Sequence, residues 1–185
     1  WSPIHILEIG CHEGGSASFY QRYMLHHQES TYTCIDPWAI RPNDMTLPAD
    51  SFKTRYHQNT CSHPNKEKIR ILEGDSLSGL AQLVGENKKY DVIYVDGGHE
   101  VSEVLADSVL SFRLLKIGGL MIFDDYLQNL DLGEDQRAKA GIDAFLLGFQ
   151  SNIEVLYTFY QVVIKKLSDR FMEEITPTTP VCTYT

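Results

Sequence analysis

The sequence predicts an α/β fold, in which helices cover both faces of a doubly wound, mostly parallel sheet of seven strands. Three observations support this prediction. Short apolar runs alternate along most of the chain with stretches that have helical spacing. The apolar runs are nearly continuous, as in strands that are buried on both faces. The last two runs follow each other without a helix between them, which predicts antiparallel final strands.

The first half of the chain supplies three predicted strands and three predicted helices. Residues 4–10 form an apolar run that ends in glycine, so we expect a strand followed by a tight turn. Residues 16–27 have helical spacing, which places Phe19 and Tyr23 on one side of a helix. Three prolines between residues 37 and 50 predict a long loop. The other predicted elements are strands at 31–36 and 68–75 and helices at 51–60 and 77–84.

The second half follows the same alternation until its end. A strand at 90–96 leads into a strongly amphipathic helix at 101–116, which Gly118 and Gly119 are expected to stop. The remaining elements are a strand at 120–125, a helix at 136–149 and final strands at 153–160 and 161–167. The tail at 176–185 is expected to be a loose end or a short edge segment.

Length and composition fit a single domain over residues 1–185 with a full-sized core. The chain begins at Trp1 rather than Met, so we expect that an N-terminal extension is missing. The net charge of −9 argues against nucleic acid as a partner, because phosphate backbones attract basic surfaces. No apolar run approaches the ~18 residues of a membrane span, so no membrane partner is expected.

The cysteines are scattered and predict reduced thiols in a cytoplasmic protein. They are Cys11, Cys34, Cys61 and Cys182. The spacing of His57, Cys61 and His63 would allow a zinc site, but the stretch offers no fourth ligand. A solvated helix end is therefore the favoured interpretation of these three residues.

Polar residues follow the predicted parallel strands where each strand ends. They are Asp36, Asp96, His99, Asp124 and Asp125. In doubly wound sheets, ligands bind in the crevice at the carboxyl ends of the strands. The sequence therefore predicts a functional site at this edge.

The loop after the first strand, residues 8–16, also lies at this edge. Its glycines allow a sharp turn and a close approach of the backbone to a ligand, and the following helix offers free amides to an anion. The loop has the spacing GxxxG rather than the GxGxxG that binds a dinucleotide pyrophosphate. Glu8, two residues before the first glycine, suits a cation better than a pyrophosphate. A donor with an ammonium, a carboxylate and a sulfonium would fit.

With these residues, "ILEIGCHEGGSA" (6–17) resembles motif I of the class I S-adenosylmethionine-dependent methyltransferases. The resemblance extends along nearly the whole chain, through "CID", "EGDS", "YDVIYVDGGH", "LLKIGGLMIFDDY" and "YQVVIKK". The combination of "VDGGH", "LLKIGG" and "FDDY" is more similar to the small-molecule branch that includes the macrocin-type sugar O-methyltransferases. The resemblance implies a Rossmann-like methyltransferase fold with a reversed last strand.

The resemblance also implies a set of residues that bind the donor. They are Glu8, Gly10, Gly14, Ser16, Asp36, Asp75, Ser76 and Asp96. In this set Glu8 would hold the methionine ammonium, Asp36 the ribose hydroxyls and Asp75 the adenine amino group. Simpler roles are open for all three: a solvent-facing charge at a strand end for Glu8, a turn acid for Asp36 and a helix cap for Asp75.

The resemblance implies that the catalytic and metal-binding residues belong to the motifs "DGGH" and "FDDY". His99 would be the general base, with Asp96 as a second catalytic candidate, because a hydroxyl nucleophile must lose a proton. Asp96, Asp124 and Asp125 would supply oxygen ligands for Mg²⁺ or Mn²⁺. Asp96 could instead only contact the donor, Asp125 could be a loop acid, and residues 97–100 could simply begin a helix. Metal dependence stays open at this point.

The function expected from the resemblance is S-adenosylmethionine-dependent methylation of a small-molecule or sugar hydroxyl. One alternative is a non-catalytic S-adenosylmethionine-binding module. Another is a different enzyme on the same frame; the GxxxG loop disfavours an NAD-dependent oxidoreductase, and the absence of a His-x-Asp/Glu…His set disfavours a metal-dependent hydroxylase. Acceptor specificity is expected to come from residues 37–66 and 126–136.

Overall fold

The computed structural model describes residues 2–39 and 49–169. Its strands are β1 (His5–Ile9), β2 (Thr31–Asp36), β3 (Ile69–Glu73), β4 (Tyr90–Val95), β5 (Leu115–Phe123), β6 (Ile153–Thr158) and β7 (Val162–Lys166). Its α-helices are α1 (Gly15–Tyr23), α2 (Ala49–Cys61), α3 (Ser76–Gly85), α4 (Val101–Leu114) and α5 (Ala138–Phe149). The predictions for Trp1, most of the loop at 37–50, Cys182 and the tail at 176–185 lie outside the described residues.

The strands form one seven-stranded sheet in the order β3-β2-β1-β4-β5-β7-β6. Strands β1 to β5 pair in parallel, whereas β7 is antiparallel to both β5 and β6. The predicted fold class, including the antiparallel end of the sheet, is therefore confirmed.

Helices cover both faces of this sheet, and each face has its own apolar core. One core includes Leu80 of α3, Phe112 of α4 and Phe145 of α5. The other lies under α1 and α2 and includes Tyr20 and Tyr56. Because both faces are covered, the central strands carry apolar side chains at almost every position, and this is the pattern seen in the sequence.

Two predicted elements differ from the structure. Helix α1 ends at Tyr23 rather than at residue 27, and it buries Ala17, Tyr20 and Gln21 while Phe19 and Tyr23 are exposed. Strand β5 begins at Leu115, directly after α4, so Gly118 and Gly119 lie inside the strand rather than before it. The register of β5 against β4 shifts between Tyr90 and Val92, and this irregularity accommodates the two glycines.

Backbone hydrogen bonds tie together the loops that follow the central strands. Gly10 N donates to Ile35 O at 2.9 Å, and Asp96 N donates to Ile9 O at 2.8 Å. Asp124 N donates to Val95 O at 3.0 Å. The residues after β1, β4 and β5 therefore lie side by side at the carboxyl edge of the sheet. None of the helices in residues 2–39 and 49–169 is both long and apolar enough to cross a membrane.

Candidate active site

The side chain of Glu8 lies inside the protein, beneath the glycine loop. Its two carboxylate oxygens accept hydrogen bonds from the hydroxyls of Ser16 and Tyr32. Burial raises the pKa of Glu8 to about 7, and the nearby charge of Asp36 acts in the same direction, against the two hydrogen bonds. Glu8 therefore connects the start of α1 to β2, and its contact with the methionine ammonium stays a prediction.

The glycine loop is shaped by two residues with positive φ. Gly10 has φ +82°, and a Cβ there would lie 1.9 Å from the carbonyl oxygen of Asp96. Gly14 has φ +78°, and a Cβ there would lie 2.8 Å from the ring of Tyr56. Gly10 thus brings the loop against the backbone after β4, and Gly14 lets α1 begin close to α2.

Asp36, at the end of β2, organises the same loop from the other side. Its Oδ2 accepts hydrogen bonds from the backbone amides of Cys11 at 2.9 Å and His12 at 2.8 Å. Its Oδ1 accepts one from the amide of Trp38 at 2.6 Å. An ionised carboxylate offers about four acceptor positions, so Asp36 can still accept from a ligand.

The end of β3 leads into the first turn of α3. Asp75 is the N-cap of this helix, because its Oδ1 accepts from Ser78 N at 2.8 Å. This contact lowers the pKa of the exposed Asp75 carboxyl. Ser76 contacts the buried Asp107 of α4, whose pKa is raised to about 6, chiefly by burial. The capping role weighed for Asp75 is thus present, and its carboxylate also lies on the surface of the site.

The residues after β4 and β5 form a compact group of ligand-type atoms. One ligand atom each of Asp96, His99 and Asp125 lies within 4.8 Å of the others. His99 Nε2 is 2.9 Å from Asp125 Oδ2. Asp125 adopts φ +59°, an uncommon conformation for a residue with a side chain.

Asp124 is not part of this group. Its Oδ2 accepts a hydrogen bond from the hydroxyl of Tyr94, and its Oδ1 accepts one from Asp125 N at 2.8 Å. Of the three acids suggested as metal ligands, the structure therefore brings together Asp96 and Asp125, and it adds His99.

A single open cleft of about 600 Å³ connects these parts. The sequence-predicted residues that line it are Gly10, Asp36, Asp75, Ser76, Asp96, His99 and Asp125. Glu8, Gly14, Ser16 and Asp124 do not line it, and among them Asp124 contacts a lining residue, because it accepts from Asp125 N. Trp38, Phe52 and Gln128, from the segments expected to determine acceptor specificity, also line the cleft. His12 and Glu103 line it as well, and neither was selected from the sequence.

Two further contacts of the site follow from tertiary structure. Trp38 is buried, stands edge to face with Tyr56, and donates from Nε1 to His12 O at 2.8 Å. The hydroxyl of Tyr160 donates to Asp125 Oδ1 at 3.0 Å. Within the described residues, His57, Cys61 and His63 are not among the groups of ligand atoms close enough to share a metal ion.

Comparison with known proteins identifies the wider group to which the chain is related. A family model described as a methyltransferase domain matches residues 7–126. The chain is also 27% identical over 120 residues to the uncharacterized protein R132 of Acanthamoeba polyphaga mimivirus, and the match covers 65% of this chain. It covers 50% of R132, so the chain spans about half the length of this curated relative.

Solved structures share the fold at low sequence identity. The O-methyltransferase TomG from Streptomyces achromogenes, solved with S-adenosylmethionine, is 16% identical with a TM-score of 0.67, over 89% of this chain and 73% of TomG. MycE of the mycinamycin pathway, solved with Mg and S-adenosylhomocysteine, is 14% identical with a TM-score of 0.62, over 90% of this chain and 45% of MycE. At these identities the likeness establishes the fold.

Proposed function

This chain belongs to the methyltransferase domain family, and from that membership we propose that it transfers the methyl group of S-adenosylmethionine to a hydroxyl of a small molecule. The observation that carries the proposal is the continuous cleft of about 600 Å³, a volume typical of small-molecule sites. The cleft is lined by the glycine loop, the first turn of α3 and the group formed by Asp96, His99 and Asp125. Donor and acceptor can therefore meet inside one site.

We assign the donor half of the cleft to Gly10, Asp36, Asp75 and Ser76, which come from the glycine loop, the end of β2 and the start of α3. Gly10 lets the loop lie against the backbone of Asp96, because a Cβ there would lie 1.9 Å from the Asp96 carbonyl oxygen. In our proposal the carboxylate of Asp36 accepts hydrogen bonds from the ribose hydroxyls. Asp75 and Ser76 bind the edge of the adenine ring. Several of the residues that line the cleft carry carboxylates, which favour a positively charged ligand. The donor supplies a methyl group on a sulfonium, ready for in-line displacement.

His99 is the proposed general base for the acceptor hydroxyl. Its side chain is 30% exposed and lines the cleft, so an acceptor can reach it. Its Nε2 contact with Asp125 would fix the orientation of the ring and stabilise the imidazolium that forms when the proton is taken. The purely structural alternative for His99 includes the same contact, so only kinetics can separate the two roles.

A divalent cation is a second part of the proposal. The site fits such an ion, because Asp96 and Asp125 offer carboxylate oxygens and the cluster also contains an imidazole. Asp96 and Asp125 would hold Mg²⁺ or Mn²⁺, whereas Asp124 lies outside the group of ligand atoms and accepts from Tyr94. Such an ion would lower the pKa of a bound hydroxyl.

The remaining parts of the proposal concern setting and partners. Cys11, Cys34 and Cys61 are free thiols, which supports a cytoplasmic location. The proposed partner is a small hydroxylated acceptor. A nucleic acid is a less suitable partner, because the net charge of −9 repels its phosphate backbone.

The function can be tested with a donor titration followed by a turnover assay. Calorimetry should detect saturable binding of S-adenosylmethionine to the intact protein. Incubation with a panel of sugars, polyols and phenols should then release S-adenosylhomocysteine with at least one acceptor. Binding without turnover on a broad panel would favour the non-catalytic module, and absence of donor binding would reject the proposal.

A further inference from the structure

The turn between β6 and β7, residues 159–161, lies beside the acids that follow β5. Val162 at the start of β7 pairs with Phe123 at the end of β5 in antiparallel register. The residues just before β7 must therefore face those just after β5. A backbone hydrogen bond fixes this arrangement, because Tyr126 N donates to Tyr160 O at 2.9 Å.

Two neighbouring side chains of this turn connect to the two consecutive acids. The hydroxyl of Tyr160 donates to Asp125 Oδ1 at 3.0 Å, and the other oxygen of Asp125 lies 2.9 Å from His99 Nε2. Gln161 Nε2 donates to the hydroxyl of Tyr94 at 2.9 Å, and Tyr94 in turn donates to Asp124. The turn thus supports Asp125 directly and Asp124 through one intermediate residue.

The backbone of Asp125 has an uncommon conformation. Its φ of +59° lies in the left-handed region, which residues with a Cβ rarely adopt and glycine adopts freely. Such a conformation persists only where surrounding contacts hold it. At Asp125 those contacts include the Tyr160 hydroxyl and the His99 ring.

We propose that Tyr160 is a positioning residue, which holds the Asp125 carboxylate in contact with His99 and in place for a divalent cation. Charge-assisted hydrogen bonds of this kind orient the carboxylates that bind metals and hold bases, and losing one typically weakens metal binding 10- to 100-fold. The consequence for methyl transfer rests on the proposed function, whereas the effect on Asp125 does not.

The test compares Tyr160→Phe with Tyr157→Phe, a matched control on the exposed part of the same hairpin. Crystal structures of both variants should show the Asp125 carboxylate turned away from His99 in Tyr160→Phe alone. Mn²⁺ binding, followed by electron paramagnetic resonance, should be about 10- to 100-fold weaker in Tyr160→Phe and unchanged in Tyr157→Phe. S-adenosylmethionine affinity should be the same in both variants, because Tyr160 does not line the donor half of the cleft.

The outcomes separate this inference from the proposed function. An unchanged contact between Asp125 and His99 in Tyr160→Phe would overturn the positioning role, regardless of the measured Mn²⁺ affinity. If the wild-type protein binds Mn²⁺, equal Mn²⁺ affinity in the two variants would also overturn the positioning role. If the wild-type protein binds no Mn²⁺, the crystal structures decide the inference alone. If it binds no S-adenosylmethionine, the proposed function fails while the position of Asp125 still decides the role of Tyr160.

Discussion

Replacing Glu8 by Gln should change how the stability of the protein depends on pH. Glu8 is buried, and its pKa is raised from the ordinary 4.5 to about 7. Below pH 4.5 the carboxyl is protonated in both the folded and the unfolded chain, so it adds no pH dependence. As the pH rises towards 7, the unfolded chain releases this proton while the folded chain still holds it. Stability must therefore fall over this window.

The size of the effect follows from the pKa shift. A rise from 4.5 to about 7 corresponds to roughly 3 kcal/mol, at about 1.4 kcal/mol per pKa unit. Gln resembles the protonated side chain and does not ionise, and the hydroxyls of Ser16 and Tyr32 can act as donors or acceptors towards its amide. The wild-type protein should therefore lose up to roughly 3 kcal/mol relative to Glu8→Gln between pH 4.5 and 8.

Urea unfolding of both proteins at several pH values between 4.5 and 8 measures this difference directly. Asp107, whose pKa is raised to about 6, contributes equally to both proteins and cancels. Glu29→Gln, at an exposed position, provides the control for removing a carboxylate. A stability difference between wild type and Glu8→Gln that stays constant over this range would refute the conclusion that buried Glu8 keeps its proton up to near-neutral pH.

Three further substitutions and one treatment test other parts of the account. Asp36→Ala should lower stability by ~2–4 kcal/mol in urea unfolding and also weaken donor binding, because three backbone amides lose their acceptor; unchanged stability would contradict this. Gly10→Ala should abolish donor binding or folding, since its Cβ would lie 1.9 Å from Asp96 O; normal calorimetric binding would show that the loop is looser than described. His99→Ala should lower turnover by ~10²–10⁴ with donor affinity unchanged, and near-normal turnover would remove His99 as the base. EDTA should abolish activity and Mg²⁺ restore it, whereas full activity in chelator would reject the cation.

The sequence allowed the sheet and the position of the site to be predicted, because both depend on local patterns. Continuous apolar runs identified the parallel strands, and the acids at the ends of three runs predicted the edge at which the cleft lies. Gly118 and Gly119 misled the prediction of β5, since glycines usually stop a helix. Here the pairing of Leu115 with Tyr90 outweighs that tendency.

The directions of individual side chains could not be predicted in the same way. Glu8 shares the face of β1 that packs against α1, between neighbours that belong to the opposite core. A strand that is buried on both faces gives no alternation from which that direction could be deduced. The donor contact of Glu8 came from the resemblance alone, and its contacts with Ser16 and Tyr32 could be found only in the structure.

Contacts between segments that are distant in the sequence could not be predicted either. Tyr160 lies 35 residues from Asp125 along the chain, and only the register of β7 against β5 brings them together. The same holds for Asp124, whose carboxylate is turned towards Tyr94 on the neighbouring strand. Such contacts depend on the register of paired strands, which local sequence patterns do not specify.

A crystal structure of the protein with S-adenosylhomocysteine and Mg²⁺ would show how the donor lies relative to the proposed base. We expect the ligand to occupy the cleft, with its adenine beside Asp75 and Ser76, its ribose at Asp36 and its sulfur towards His99. A ligand bound outside this cleft, or bound in it with the adenine next to His99, would contradict the proposed arrangement of donor and base.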